Sequence, residues 1–218
     1  METQIKNNTV WMTVSEAPSV YVPTKEVKVT TRNDCKIQLV AGDITRLDTD
    51  AIVISANPYL QMCSGIARQV RELGGESIQE SCDQIGYTPA GKAAITDAGA
   101  LNARYVIHAV GPLGCEPDSR RTLTKAAQSC LALADDYGLK TVALPALSTD
   151  IYDYPLDKCA CVMLNAVIDY LRHADTGLEC VVFCLPNADT LSVFETQLAM
   201  FFETDILLDL ARQWADGS

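Results

Sequence analysis

The sequence is poor in aromatic, histidine and basic residues. Only 6% of its 218 residues are Phe, Trp or Tyr, and only two are His. The 17 Lys and Arg residues are outnumbered by 28 Asp and Glu, which gives a formal net charge of -11 at pH 7. This charge opposes binding to nucleic acid, because such binding needs cationic side chains to displace counterions. It still permits a small anionic ligand held by backbone amides.

Two further absences concern metals and membranes. None of the nine cysteines forms a Cys-x-x-Cys pair, and with only two histidines we expect no metal site and no cofactor. The chain has no run of about 18 apolar residues and no basic segment leading into an apolar one, so we expect no membrane span or signal peptide and a cytoplasmic protein. Four cysteines fall in apolar segments, as buried thiols in a reducing compartment do: Cys130, Cys159, Cys180 and Cys184.

Short apolar runs alternate with amphipathic stretches along most of the chain. The runs predict strands at 26–31, 37–40, 51–54, 92–96, 105–110, 141–145 and 180–185. The stretches predict helices at 65–74, 76–85 (with Ile78, Cys82 and Ile85 facing inward), 122–137, 156–172, 190–202 and 205–214. This alternation predicts an α/β fold with helices on both faces of a largely parallel sheet.

The same pattern divides the chain into three parts. Residues 1–33 form an N-terminal extension, which is either a set of edge strands or a partly mobile segment. Residues 34–190 form the main domain. Residues 191–218 form a C-terminal helical segment that packs on it.

The stretch 142–155 changes abruptly from an apolar strand to a polar loop and then leads into a helix. In open α/β sheets, loops at the carboxyl ends of strands bind ligands. Ser148, Thr149 and the nearby amides are suited to hold an anion at the helix entrance. Asp150 and Asp153 oppose an anion, and the sequence does not tell which way their side chains point.

Five motifs, each at the expected place on a strand or helix, resemble the macro domain family over about residues 36–187. They are Gly42-Asp43-Ile44-Thr45, Asp50-Ala51-Ile52-Val53 closing on Ala56-Asn57, Ser64-Gly65-Ile66-Ala67, the run 105–112, and the run Pro145 to Pro155. The resemblance implies a three-layer α/β/α domain whose crest cleft binds ADP-ribose or a relative. Some members of the family hydrolyse ADP-ribosyl bonds.

The resemblance also implies roles for individual residues. Asp43 would accept a hydrogen bond from the adenine amino group, with the Ile44 amide beside it, and Asn57 would lie by the distal ribose. Gly65 and Ile66 belong to the first phosphate-side loop. The second loop would consist of Ser148, Thr149, Asp150, Ile151 and Tyr152, with Tyr152 against the distal ribose. Pro186-Asn187 stands where the family usually has an adenine-stacking aromatic residue, which makes Asn187 a further candidate contact.

The chain departs from the family pattern near the expected site. Ile54 replaces a usual Asn, and Gly65 is all that remains of a glycine-rich approach to the first loop. Ala67 stands where hydrolytic members with the best-defined site carry an Asp, so the usual group for activating water is missing. Asp150 and Asp153 replace two glycines.

These observations support three hypotheses. In the first, the domain binds ADP-ribose or an ADP-ribosylated protein, and has neither a nucleic-acid nor a membrane partner. In the second, it is a hydrolase that removes ADP-ribose from proteins or the acetyl group from O-acetyl-ADP-ribose, with Asn57 orienting water and with Asp150 or the substrate's own phosphate replacing the missing base. In the third, the domain has lost ADP-ribose and acts through protein contacts.

Overall fold

A computed structural model describes residues 25–28, 35–114 and 117–216, with residues 25–28 and 203–216 given through the backbone alone. The strands are β1 (Lys25–Lys28), β2 (Lys36–Ala41), β3 (Ala51–Ser55), β4 (Ala93–Asp97), β5 (Tyr105–Ala109), β6 (Thr141–Leu144) and β7 (Cys180–Leu185). The helices are α1 (Gly65–Gly74), α2 (Ser77–Ile85), α3 (Ser119–Asp136), α4 (Leu156–His173) and α5 (Ala188–Asp216). Most of the predicted N-terminal extension lies outside the described residues.

The seven described strands form one mixed sheet in the order β1-β2-β7-β6-β3-β5-β4. The five inner strands run parallel, while β1 and β4 pair antiparallel at the two edges. In β3 the first four residues are all buried, as expected of a parallel strand covered on both faces. The predicted α/β class and the mostly parallel sheet are confirmed.

Alternate residues of each inner strand pack into two separate cores. Ala51 and Val53 join the core beneath α3, α4 and α5, whereas Ile52 and Ile54 join the core beneath α1 and α2. This split follows from the two-residue period of a strand, which points successive side chains to opposite faces. The result is the predicted three-layer α/β/α arrangement.

Two predictions about helices are wrong. The two helices expected near the C-terminus are one helix, α5, because the polar residues between the two apolar stretches include no Gly or Pro to interrupt it. Ile85 was expected to face inward but is 41% exposed, since it is the last residue of α2 and the chain turns away at Gly86. Cys180 is only half-buried, while the other three cysteines predicted to be buried are so.

Among the residues that the structure describes, none of the helices is both long and apolar enough to cross a membrane. The same residues contain no group of three or more His, Cys, Asp or Glu side chains placed to hold a metal ion.

Asp50, just before β3, makes hydrogen bonds that link the amino-terminal ends of three strands, β3, β5 and β6. Its Oδ2 accepts hydrogen bonds from the amides of Lys140 (2.8 Å) and Thr141 (3.0 Å), and its Oδ1 lies 3.4 Å from Arg104. Burial raises the pKa of Asp50, but the amide hydrogen bonds from Lys140 and Thr141 outweigh it, and the net shift of the pKa is downward.

We predict that Asp50→Asn destabilises the fold by about 1–3 kcal/mol at neutral pH, because charge-assisted hydrogen bonds are replaced by weaker ones. A lowered pKa means that the stability from Asp50 is present above its unfolded pKa of about 3.9 and is lost as pH falls through the folded pKa. The difference between wild type and variant should therefore shrink below about pH 4. Denaturant unfolding across pH measures it, with the exposed Asp48→Asn as the matched control. A difference that stays constant down to low pH contradicts the role given to the charge.

Candidate functional site

A cleft of about 860 Å³ opens at the carboxyl edge of the sheet. The loops after β2, β3, β6 and β7 contribute its floor and walls, and α1 contributes one side. The lining residues are Gly42, Asp43, Ile44, Ser55, Ser64, Gly65, Ile66, Ala67, Gln69, Pro145, Ala146, Thr149, Asp150, Ile151, Leu156, Cys184, Pro186 and Thr190. This is the place where open α/β sheets bind ligands.

Asp43 stands at one end of the cleft, where it caps a 3₁₀ turn over Ile44–Arg46. Its Oδ1 accepts hydrogen bonds from the amide and hydroxyl of Thr45, at 3.0 and 2.7 Å. Its Oδ2 accepts one from Gln69 at 3.1 Å and lies 3.6 Å from Arg46 Nε. The side chain is 33% exposed, so Oδ2 keeps acceptor capacity toward the cleft.

The N-terminus of α1 opens on the same cleft. Its first three residues, Gly65, Ile66 and Ala67, all line the cleft, and the Ser64 side chain makes no capping hydrogen bond. The first amides of a helix have no partner within the helix and carry partial positive charge. The uncapped end of α1 therefore offers amides to an anionic group.

The loop after β6 forms the opposite wall, and Thr149, Asp150 and Ile151 contribute lining there. Tyr154 donates its amide hydrogen bond to the Ser148 carbonyl, which folds the loop back on itself. The amides of Asp150, Ile151 and Tyr152 donate no hydrogen bond to any described residue. Residues with unpaired amides thus line the cleft on both walls, at the start of α1 and at Asp150 and Ile151.

Ser148 supports this loop from beneath. It is 1% exposed, its φ is +63°, and its amide donates to Ser55 Oγ at 3.2 Å. Its own Oγ has no hydrogen-bond partner among the described residues and lies against Gly111, where an added Cβ would collide with it. Ser148 therefore shapes the loop and does not line the cleft.

The structure distinguishes the two aspartates that the sequence left equivalent. Asp150 lines the cleft, and its Oδ2 lies 2.7 Å from the position that a Cβ on Gly65 would occupy. Asp153 is exposed, does not line the cleft and has φ +51°. A left-handed backbone is costly for most residues but tolerated by Asp, which explains how Asp153 fits at a position where the resemblance implies Gly.

Besides Ser148, three candidate residues lie outside the cleft lining. Asn57 uses its side chain within its own loop: Nδ2 donates to the Gln61 carbonyl, and Oδ1 accepts from the amides of Tyr59 and Gln61. Asn187 caps α5 by accepting from the amide and hydroxyl of Thr190. Tyr152 is half-buried behind Ile151, and burial, followed by the proximity of Cys63, raises its pKa.

Several lining residues were missed by the sequence analysis. Gln69 follows Gly65 by four residues and Ile66 by three, so helical spacing alone places it on the same face of α1. Ser55 is the polar residue that ends β3, which is the usual position of a ligand contact. No local signal points to Leu156 at the start of α4, or to Cys184 and Thr190 around the turn from β7 to α5, which meet Leu156 only through folding.

The fold and the cleft define a three-layer α/β/α domain with an open cleft at the carboxyl edge of its sheet. A model of the Macro domain family matches residues 53–163. The chain is 37% identical to an O-acetyl-ADP-ribose deacetylase of Enterobacter cloacae, in a match that covers 75% of this chain and 93% of that protein. The chain belongs to the macro domain family.

Other relatives are longer than this chain. It is 32% identical to the ADP-ribose glycohydrolase MACROD2 of Xenopus laevis, over 88% of this chain and 46% of that protein. It is 38% identical to a Thermotoga maritima protein of which the match spans 29%. The matched part is therefore less than half of either of these two relatives.

Solved structures agree with the fold. The Oceanobacillus iheyensis macrodomain with ADP has a TM-score of 0.76 and 25% identity, and the match covers 83% of this chain and 98% of that one. The Trypanosoma brucei macrodomain in complex with ADP-ribose has a TM-score of 0.70 and 30% identity, over 74% of this chain and 68% of that one.

We predict that Gly65→Ala destabilises the protein by about 1–2 kcal/mol, because φ at this position is +54° and L-residues are strained there. Chemical denaturation gives the difference. Gly177→Ala is the matched control, since its Cβ would meet nothing closer than 3.7 Å and its φ is not in the left-handed region. Equal losses for the two variants would contradict the assignment.

Proposed function

We propose that this domain binds ADP-ribose, free or attached to a protein, in the cleft at the carboxyl edge of the sheet. The observation that carries the proposal is the arrangement of an acceptor carboxylate, Asp43, and the uncapped N-terminus of α1 along one continuous cleft. The carboxylate can accept a hydrogen bond from the amino group of a base, and the amides at the helix start can donate hydrogen bonds to a diphosphate. The relatives named for ADP-ribose chemistry support the same ligand.

In the proposed pose the adenine lies at the Asp43 end, between the apolar side chains of Ile44 and Pro186. Its amino group donates to Asp43 Oδ2. The Ile44 amide, which donates to no described residue, serves a ring nitrogen.

The diphosphate then lies between the start of α1 and the loop at Thr149 to Ile151, where both walls present unpaired amides. The distal ribose points toward Tyr152 and Asn57. Asn57 is held by its own loop, but its Nδ2 donates only one hydrogen bond there, which leaves its second N–H for a ribose hydroxyl.

We predict that Asp43→Ala lowers the affinity for ADP-ribose by about tenfold or more, since a hydrogen bond to a charged group contributes about 1.5–3 kcal/mol. Calorimetric titration measures the affinity. Asp43→Asn keeps an acceptor for Thr45 while removing the charge, so it separates loss of the ligand contact from loss of the 3₁₀ cap.

The exposed Asp48→Asn serves as control and should bind as wild type does. Unchanged affinity in Asp43→Ala would mean that the pose is wrong. No binding of ADP-ribose to any variant would favour a cleft that has lost this ligand.

Hydrolysis of an ADP-ribosyl or O-acetyl bond is a second candidate function. One observation favours it: Asp150 lines the cleft, and its carboxylate has no hydrogen-bond or ion-pair partner among the described residues, which leaves it available as a general base. Ala67 lines the cleft too, at the position where the family's best-defined hydrolases carry an Asp.

If the wild type turns over an ADP-ribosylated protein or O-acetyl-ADP-ribose, we predict that Asp150→Asn abolishes turnover, because an amide cannot accept the proton from water. Release of ADP-ribose or acetate measures the rate. Asp153→Asn removes one charge from the same loop outside the cleft and should keep the rate. An unchanged rate in Asp150→Asn would remove Asp150 from the mechanism.

A further inference from the structure

We propose that Asp150 determines the ligand selectivity of the cleft by opposing ligands that bring an unneutralised diphosphate to the start of α1. The inference rests on the proposed function, since it assumes that the diphosphate of an ADP-ribosyl ligand occupies this part of the cleft. It concerns a residue of this chain at a position where the family usually has Gly.

The placement of the carboxylate is the first step. Oδ2 of Asp150 reaches across the cleft to the Cα of Gly65, so close that a Cβ there would be 2.7 Å away. Asp150 thus bridges the two walls at the place where both present unpaired amides. An incoming phosphate must displace this side chain toward solvent or accept a like charge beside it.

The second step is that no positively charged side chain in the described lining balances the charge of Asp150. The carboxylate of Asp150 makes no hydrogen bond or ion pair with the residues that the structure describes, so no cationic side chain there neutralises its charge. The described lining contains no Lys or Arg, and its two charged residues, Asp43 and Asp150, are both acidic. Arg46 forms an ion pair with Asp43, and Gln69 donates a hydrogen bond to it, so both interact with the other acidic residue of the lining.

Asp153 provides an internal comparison. It carries the same charge three residues later in the same loop, yet its exposed side chain does not line the cleft. Both side chains are exposed to solvent, but Asp150 lies against Gly65 at the proposed diphosphate position, whereas Asp153 lies outside the lining and farther from that charge. The two residues should therefore have unequal effects on the same ligand.

Coulomb's law sets the scale. Repulsion between two like unit charges about 4 Å apart near a protein surface lowers the affinity by roughly a thousandfold. Asp150 is exposed and free to turn away, so we expect about a 10- to 100-fold effect on ADP-ribose. Adenosine has no phosphate and should bind with the same affinity whether or not the carboxylate is present.

The test is a calorimetric titration of the full chain with ADP-ribose and with adenosine, in buffer containing EDTA so that divalent cations do not screen the carboxylate. Wild type is compared with Asp150→Asn and with the matched control Asp153→Asn. Asp150→Gly adds the residue that is usual for the family. Each titration is repeated at low and high NaCl, because salt screens repulsion between charges but leaves a steric effect unchanged.

The expected result is tighter binding of ADP-ribose to Asp150→Asn, by about 10- to 100-fold, with unchanged affinity for adenosine and with Asp153→Asn equal to wild type. The gain should decrease at high salt. If only the two Asp150 variants bind ADP-ribose, the inference holds and the proposed function fails for the natural sequence.

Two results would overturn the inference. If wild type binds ADP-ribose and Asp150→Asn binds it no more tightly than Asp153→Asn does, Asp150 has no selective role and the proposed function stands. If no variant, including Asp150→Gly, binds ADP-ribose, the proposed function and the inference fail together.

Discussion

Parallel pairing of β2, β7, β6, β3 and β5 is the constraint from which the site arises. Parallel strands end at one edge of a sheet, and each needs a crossover before the next can begin. The loops after β2, β3, β6 and β7 consequently gather at this edge and enclose the cleft. At the amino ends of the strands, hydrogen bonds of Asp50 link the starts of β3, β5 and β6. These bonds hold the three strands in register, and with them the loops at their carboxyl ends.

Within that frame, the electrostatics of the cleft combine attraction and repulsion. The uncapped start of α1 and the unpaired amides of the loop after β6 favour an anion, while Asp43 and Asp150 place two carboxylates on the same surface. Asp43 suits a base that donates hydrogen bonds. Asp150 lies against Gly65 at the uncapped start of α1, so a diphosphate placed there as proposed would meet a like charge.

Much of the fold follows from local pattern. The apolar runs that became β3, β5, β6 and β7 favour burial on both faces, and Gly74-Gly75 and Gly138 end helices where expected. The errors fall where local pattern is a weak guide. A polar gap between two apolar stretches does not break a helix without Gly or Pro, and the inward face of α2 does not extend to its last residue, Ile85.

The sequence by itself determined the fold class, the family and the identity of the loops that form the site, because these depend on periodicity and on short motifs in fixed order. It also determined that Gly65 and Asp43 lie in the cleft, since their motifs are local. Only the tertiary structure decided that Asp150 lines the cleft while Asp153 does not, and that Asn57 and Asn187 serve their own loop and helix. The direction of a loop side chain depends on backbone torsions and on partners far away in the chain, such as Ser55 beneath Ser148 and Gly65 across from Asp150. No short sequence pattern encodes these torsions and distant contacts.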